Sequence, residues 1–310
     1  MAGPSAGCNW PSAAACVDMS TVELVKVFPV SDYDLAATLG SGQAFRWRPQ
    51  ADSWTGVIAG RWVRLRAGAG SITAETAAPM TNWDWLTHYL QLDTELDAVL
   101  ASFPDDAPMR SAVGACRGLR LLRQDPWECL ASFILSSTKQ IVQIQQIIAL
   151  LCGRYGAPVA VPPGRATEHG FPSASRLASL GEPDLRACKM GFRAPYLLAV
   201  ARAIAEGRFD CERLRGLPLG AARAELVGLP GVGPKIADCV LLFAYGFPTA
   251  FPVDVWMLKV LRQFYFRRRR ISPARFQETA EKHFGPHAGY AQQYLFHWIR
   301  LQKVSSRSGD

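Results

Sequence analysis

The chain has 310 residues, 49% of them hydrophobic and 19% charged, which excludes a disordered polymer and leaves length for two domains with a sizeable core. No apolar run of 18 residues is free of charge, which excludes a helical membrane span. The net charge of +8 is uneven: residues 1–110 carry −5 and residues 111–310 carry +13. A phosphate backbone is one natural partner for that basic part and a solubilising surface the other.

Residues 1–20, rich in Ala, Ser, Gly and Cys, are expected to be a disordered tail. They lack a basic start and an apolar h-region, and the first arginine is Arg46, so neither a secretory signal nor a transit peptide is expected. An intracellular setting follows, cytoplasm and nucleoid in a bacterium or the nucleus in a eukaryote. Residues 22–76 read as short strands punctuated by Gly40, Gly42, Gly56, Gly60, Gly68 and Gly70, with Val63 and Leu65 alternating against Arg64 and Arg66. From Trp83 the period turns helical, and Trp85, Leu86, Tyr89, Leu90 and Leu92 form one apolar stripe. Asp125-Pro126 opens a helix as N-cap and first residue. Its run Cys129–Leu135 is apolar nearly all round, which predicts a central buried helix. Further helices are expected at 140–155, 194–206, 219–228, 234–245, 255–266, 273–283 and 288–302, with a Pro/Gly-rich connection at 157–175. The fold class is α+β: a small N-terminal antiparallel β-sheet domain with helices over 21–115, then an all-helical body over 116–310.

The eight cysteines (8, 16, 116, 129, 152, 188, 211 and 239) contain no C-x-x-C and read as reduced thiols. No cysteine follows Cys239, so a C-terminal four-cysteine iron–sulfur loop is absent. His283 and His287 are the one close histidine pair, and no thiol is near them in sequence. No metal and no soluble cofactor is expected. Gly231-Val-Gly233 begins like a dinucleotide fingerprint, but Ile236 stands at its third glycine.

The chemistry concentrates in Leu226–Cys239 and Phe247–Leu258. A helix ends near Gly228, Pro230-Gly231-Val232-Gly233 makes a tight turn, and Pro234 starts the next helix. Free N–H groups of such a turn can hold a phosphate, the helix-hairpin-helix arrangement that grips a DNA backbone without reading bases. Lys235 falls in the first turn of the second helix, with Cys239 at i+4 on the same face. Desolvation at such a site makes an amine a nucleophile; an exposed lysine holding phosphate is the other reading. Asp254 fits an N-cap before an apolar helical run, where backbone N–H groups are expected to keep it ionised at neutral pH. A fixed carboxylate can stabilise a developing sugar cation; a purely structural cap is the alternative.

Together the hairpin, Lys235 and the loop Phe251-Pro-Val-Asp254 resemble the helix-hairpin-helix DNA glycosylases, and within them the 8-oxoguanine DNA glycosylases of the human type. Ser41–Arg48, Leu121–Leu130, Leu229–Cys239 and Ala288–Gln292 with Phe296 carry the resemblance, which runs from about Tyr33 to Lys303. It implies a bifunctional glycosylase and AP lyase acting on duplex DNA that contains an oxidised purine, as a monomer. By that resemblance Lys235 attacks the sugar C1′ and forms a Schiff base, and Asp254 stabilises the positive sugar. Gly42 offers a carbonyl to the N7 hydrogen of the lesion, Cys239 and Phe296 sandwich the flipped base, and Gln292 binds its Watson–Crick edge. Gly231, Val232 and Gly233 are implied to hold the backbone. Phe192, Arg193, Thr138, Lys139 and Gln140 are implied at the gap in the duplex.

Thr138-Lys139-Gln140 and Gln143 depart from the family, which has asparagines and then an arginine there, so a preference for cytosine opposite the lesion is expected to be relaxed. Trp256 stands in place of a histidine that contacts phosphate in the family, which should alter backbone grip more than chemistry. Arg267–Arg270 is a basic run suited to phosphate, to nuclear import or to plain solvation. A glycosylase for an alkylated purine and a non-catalytic DNA-binding module are the competing functions, and Lys235 together with Asp254 disfavours both.

Overall fold

The computed structural model describes residues 23–137, 139–266, 279–280 and 282–305, without the side chains of 303–305. The expected tail, Thr138, Arg267–Arg270 and most of the helix expected at 273–283 lie outside the described residues. Five strands, β1 (Glu23–Pro29), β2 (Arg48–Gln50), β3 (Ser53–Ile58), β4 (Arg61–Gly68) and β5 (Ser71–Met80), form one antiparallel sheet in the order β1-β5-β4-β3-β2. Leu65 lies opposite Ala74 and Val63 opposite Thr76. Phe28, Val63, Leu65, Ile72 and Ala74 form a core with Leu35 and Leu39 of α1 (Leu35–Gly40) and Leu86 and Leu90 of α2 (Asp84–Leu90). The expected alternation holds at Val63 and Leu65, but Trp62 is buried as well. Its ring is covered by the guanidinium of Arg165, 4.9 Å from the centroid. Cation–aromatic packing therefore closes a sheet position that alternation alone leaves open.

Helices α3 (Leu96–Ala101) and α4 (Ala107–Cys116) follow, and their Val99, Met109, Ala112 and Cys116 belong to the larger, helical core. Helix α5 (Pro126–Leu135) is the buried rod that its composition predicts. Asp125 Oδ1 accepts from Glu128 N at 2.8 Å, and every residue from Cys129 to Leu135 is buried. Around it lie α6 (Ile141–Tyr155), short α7 (Ala174–Ala178) and α8 (Glu182–Arg186), α9 (Ala194–Ala205), α10 (Leu219–Val227), α11 (Pro234–Val240), α12 (Val255–Val260) and α13 (Ala288–Ser305). Helices α11 and α12 each run into a wide π-helical turn, Leu241–Tyr245 and Leu261–Tyr265, where unbroken α-helix was expected. The body is mainly rather than wholly helical. Within the Pro/Gly-rich connection β6 (Pro158–Val159) pairs with β7 (Glu168–His169). Two-residue strands have no periodicity to read, so hydrophobic pattern could not reveal them. Among the described residues no helix is long and apolar enough to cross a membrane.

Sheet and body meet at the loop after α1. Gln43 is fully buried there. Its amide donates to Thr38 O (2.9 Å) and Arg120 O (2.8 Å), and its Oε1 accepts from Leu122 N (2.8 Å). Gln124 Nε2 in turn donates to Gln43 O at 2.7 Å. Replacing Gln43 by leucine strands the Arg120 carbonyl and the Leu122 amide away from water, while Thr38 O keeps Ser41 Oγ. Gln43→Leu is therefore expected to lose about 3 kcal/mol of stability in urea unfolding, and a loss below about 1 kcal/mol would deny it this role.

Candidate active site

The hairpin forms as its residues require. Helix α10 ends at Gly228, and Gly231 adopts φ +77°, where a Cβ would stand 2.7 Å from Tyr196 Cβ. Only glycine fits that position. Gly233 differs from expectation: it is extended (φ −94°), and nothing lies within 4 Å of where its Cβ would be. No internal contact demands glycine there, which leaves its outer side open to close approach. Val232 is corrected too. Its side chain is buried and its N–H donates to Leu229 O at 3.1 Å, so neither faces outward. Within α11 the first intrahelical bond runs from Ala237 N to Gly233 O, leaving the amides of Lys235 and Ile236 at the helix start as the usual open donors. The two helices are clamped by Arg223 Nε, 2.6 Å from the buried carboxylate of Asp238.

Asp238 sits between Lys235 and Cys239 in α11. Lys235 Nζ donates to Ser136 Oγ (3.4 Å) and stands 5.1 Å from the centroid of Phe133. Asp254 caps α12 as its sequence predicts: Oδ1 accepts from Trp256 N (3.0 Å) and Met257 N (2.8 Å). One cleft is lined by Lys235 and Asp254 together with Gly42, Cys239, Gln292 and Phe296. All six residues inferred for chemistry and base binding thus converge from four separate segments. Sequence reasoning missed the other walls. Phe133 and Phe243 stack at 5.7 Å as a floor, and Pro252 and Gln293 complete the lining. The cleft volume is about 40 Å³, room for about three water molecules.

Burial dominates the electrostatics. It raises the Asp254 pKa above the ordinary carboxylate value of 3.8, although the Met257 amide, Lys235, the Trp256 amide and Arg300 all pull it down. The N-cap hydrogen bonds pull it down as expected, but desolvation sets the direction of the net shift. Burial also pushes the Cys239 thiol up to about 12, against the pull of Lys235, so it stays an uncharged thiol at neutral pH. Gln292 is 4% exposed, and its Oε1 is buried with no hydrogen-bond partner. A buried acceptor left open inside a cleft is costly unless a ligand donor fills it.

On the outer side, Phe192 is 55% exposed, as an apolar wedge requires. Arg193 is not presented to solvent: it is 2% exposed, with its guanidinium 4.2 Å from the centroid of Phe192. Gln140 is exposed and Lys139 half-buried. Gln143 Oε1 accepts from Gln140 N at 3.1 Å, so this side chain caps α6. The backbone N–H of Trp256 serves the Asp254 cap. Among the described residues no group of three His, Cys, Asp or Glu could hold a metal ion.

Residues 26–130 match the family described as 8-oxoguanine DNA glycosylase, N-terminal domain, and residues 131–286 match the HhH-GPD superfamily base excision DNA repair protein. A probable N-glycosylase/DNA lyase of Methanothermobacter thermautotrophicus is 31% identical over 308 residues, covering 90% of this chain and 97% of that one. A solved structure of MBOgg1 in complex with a low-affinity DNA ligand superimposes with a TM-score of 0.86 at 31% identity, over 91% of this chain and 99% of its own. The Clostridium acetobutylicum 8-oxoguanine glycosylase/lyase, solved with double-stranded DNA containing cytosine opposite 8-oxoG, gives a TM-score of 0.84 at 26% identity, over 91% of this chain and 99% of its own.

Breaking the hairpin clamp from one side leaves a buried carboxylate without its guanidinium. Arg223→Met is expected to cost about 3 kcal/mol in denaturant unfolding. A loss confined to a few tenths of that would show the pair to be incidental.

Proposed function

The chain belongs to the 8-oxoguanine DNA glycosylase family, N-glycosylase/DNA lyases of the helix-hairpin-helix base-excision repair superfamily, and on that footing we propose that its cleft excises 8-oxoguanine from duplex DNA through an amine nucleophile. The observation that carries the reading is the open, buried Oε1 of Gln292 in the cleft that also holds Lys235 and Asp254. The Watson–Crick edge of a guanine-type base offers N–H donors, which suit that acceptor. Gly42 supplies the discrimination. Normal guanine N7 is an acceptor, whereas oxidation at C8 places a hydrogen on N7 that a backbone carbonyl can accept. Phe296 and the uncharged thiol of Cys239 cover the two faces of the ring.

The backbone is held at the start of α11, where the open amides and the positive helix end favour a phosphate. Phe192 fills the gap left by the extruded nucleotide. Lys235 Nζ then forms a bond to C1′ as the C1′–N9 bond breaks. The base departs with that electron pair and takes a proton, and the amine loses its own. The carboxylate of Asp254 stabilises the positive charge that builds on the sugar between these events. The nitrogen lone pair then forms the C1′=N Schiff base as the C1′–O4′ bond breaks and O4′ takes a proton, and removal of a 2′ proton expels the 3′ phosphate by β-elimination. Gln143, spent on the α6 cap, leaves the orphaned base weakly held, which supports a relaxed preference opposite the lesion. The position of Lys235 in the cleft argues against the alkylated-purine and binding-module readings.

Borohydride trapping tests this on a duplex with one 8-oxoguanine placed opposite each of the four bases. A covalent adduct is expected with all four and is expected to vanish in Lys235→Gln while DNA binding survives. Base release by that variant would refute the nucleophile. Asp254→Asn is expected to slow single-turnover excision by about tenfold or more; an unchanged rate would remove its role. The ionised carboxylate is the working form and its pKa is raised, so activity falls as pH drops through a value above 3.8. A single-turnover pH profile whose acid limb lies at or below that value would contradict the assignment.

A further inference from the structure

Helix α13 carries Gln292, Phe296 and Arg300 at i, i+4 and i+8, one face of one helix. The first two line the cleft; the third stands just beyond it. Arg300 Nη1 donates to Ser41 O at 2.9 Å, and Gln293 Nε2 reaches the same carbonyl at 3.5 Å. The guanidinium lies 5.3 Å from the centroid of Phe296. Gly42, next in the chain, is at φ +86°, and a Cβ there would lie 3.1 Å from Arg300 Nη1 and 2.7 Å from Ile141 Cδ1. One side chain thus touches both the turn that bears the Gly42 carbonyl and the ring assigned to cover the base.

We propose that Arg300 is a positioning residue for the base cleft: a guanidinium pin that holds the Ser41–Gly42 turn and Phe296 at a set spacing across the flipped base. The inference rests on the reading of the cleft given above. An arginine is a poor choice if packing alone were needed, because a largely buried cation carries a desolvation cost that an apolar side chain would avoid. It supplies a flat surface for an aromatic face and, in the same plane, a fixed donor for a carbonyl. The spacing matters because the Gly42 carbonyl discriminates only when it meets N7 while Phe296 covers the ring, and misplacement by about 1 Å costs on the order of a hundredfold in rate. The charge has a second consequence. Arg300 is among the groups that pull the Asp254 pKa down, and Asp254 in turn helps keep Arg300 protonated against its own burial.

The test compares the full chain with Arg300→Met and Arg300→Lys. Hydrogen exchange in DNA-free protein reads the pin directly: residues 38–45 are expected to exchange faster in Arg300→Met, with α11 unchanged. Single-turnover excision of 8-oxoguanine is expected to fall by about 30-fold in Arg300→Met, and background release of guanine by less, so discrimination narrows. The acid limb of its pH profile moves up. Arg300→Lys is expected to restore the acid limb, which needs only charge, and not the discrimination, which needs the plane. Unchanged exchange at 38–45, or unchanged discrimination with faster exchange, would overturn the proposal. Should the wild-type chain release no 8-oxoguanine, the function proposed above fails, and exchange at 38–45 still decides whether Arg300 pins the turn.

Discussion

The side-chain amide of Gln43, buried between the sheet and the helical body, is the constraint from which the geometry of the cleft follows. Its bonds to Thr38, Arg120 and Leu122 hold the loop that bears Gly42. The bond from Gln124 to its carbonyl ties that loop to the start of α5. Helix α5 then delivers Phe133 to the cleft floor and ends on Ser136, the partner of the Lys235 amine. From the other side, Arg300 and Gln293 bring α13 onto the carbonyl of Ser41. A neutral residue outside the cleft thus links the Gly42 loop, the Lys235 amine and helix α13. Strict orientation is what a fully satisfied buried amide provides and apolar packing does not.

Around that frame the electrostatics are set by removal from water rather than by pairing. Asp254 and Cys239 are both raised by burial, and in each case Lys235 pulls the other way. The outcomes differ because the groups differ. A carboxylate starts low enough that a rise brings it toward the working range. A thiol starts high, so a rise takes it out of chemistry and leaves a compact, polarisable surface. The same low-polarity walls strengthen any attraction between a carboxylate and a developing sugar cation. The basic excess of residues 111–310 acts over a longer range, where a duplex would first be met.

Much of this was legible in the residues. Asp125-Pro126 announced a capped helix, the apolar run behind it announced burial, and the glycine-rich turn before Lys235 announced a hairpin; each depends on a few consecutive residues. What lay beyond the sequence depends on contacts between distant segments. Phe133 and Phe243 look like ordinary core aromatics until the fold stacks them in the cleft wall, Phe133 under the Lys235 amine. Arg300 carries no local signal, although its spacing from Gln292 and Phe296 places it on the cleft face of α13. Val232 and Arg193 turned inward because hairpin and aromatic packing claimed them, which side-chain type alone does not foretell. The wide turns after α11 and α12 escaped because none of their residues is a helix breaker.

The small volume of the cleft has a consequence for how such an enzyme behaves between encounters. A space of about 40 Å³ admits water and small solutes but not a purine, so the walls must part before a base can lodge. On the proposed reading every candidate base meets the same opening cost, and one that satisfies Gln292 and Gly42 together offsets it. Selection thus begins before any bond to carbon forms.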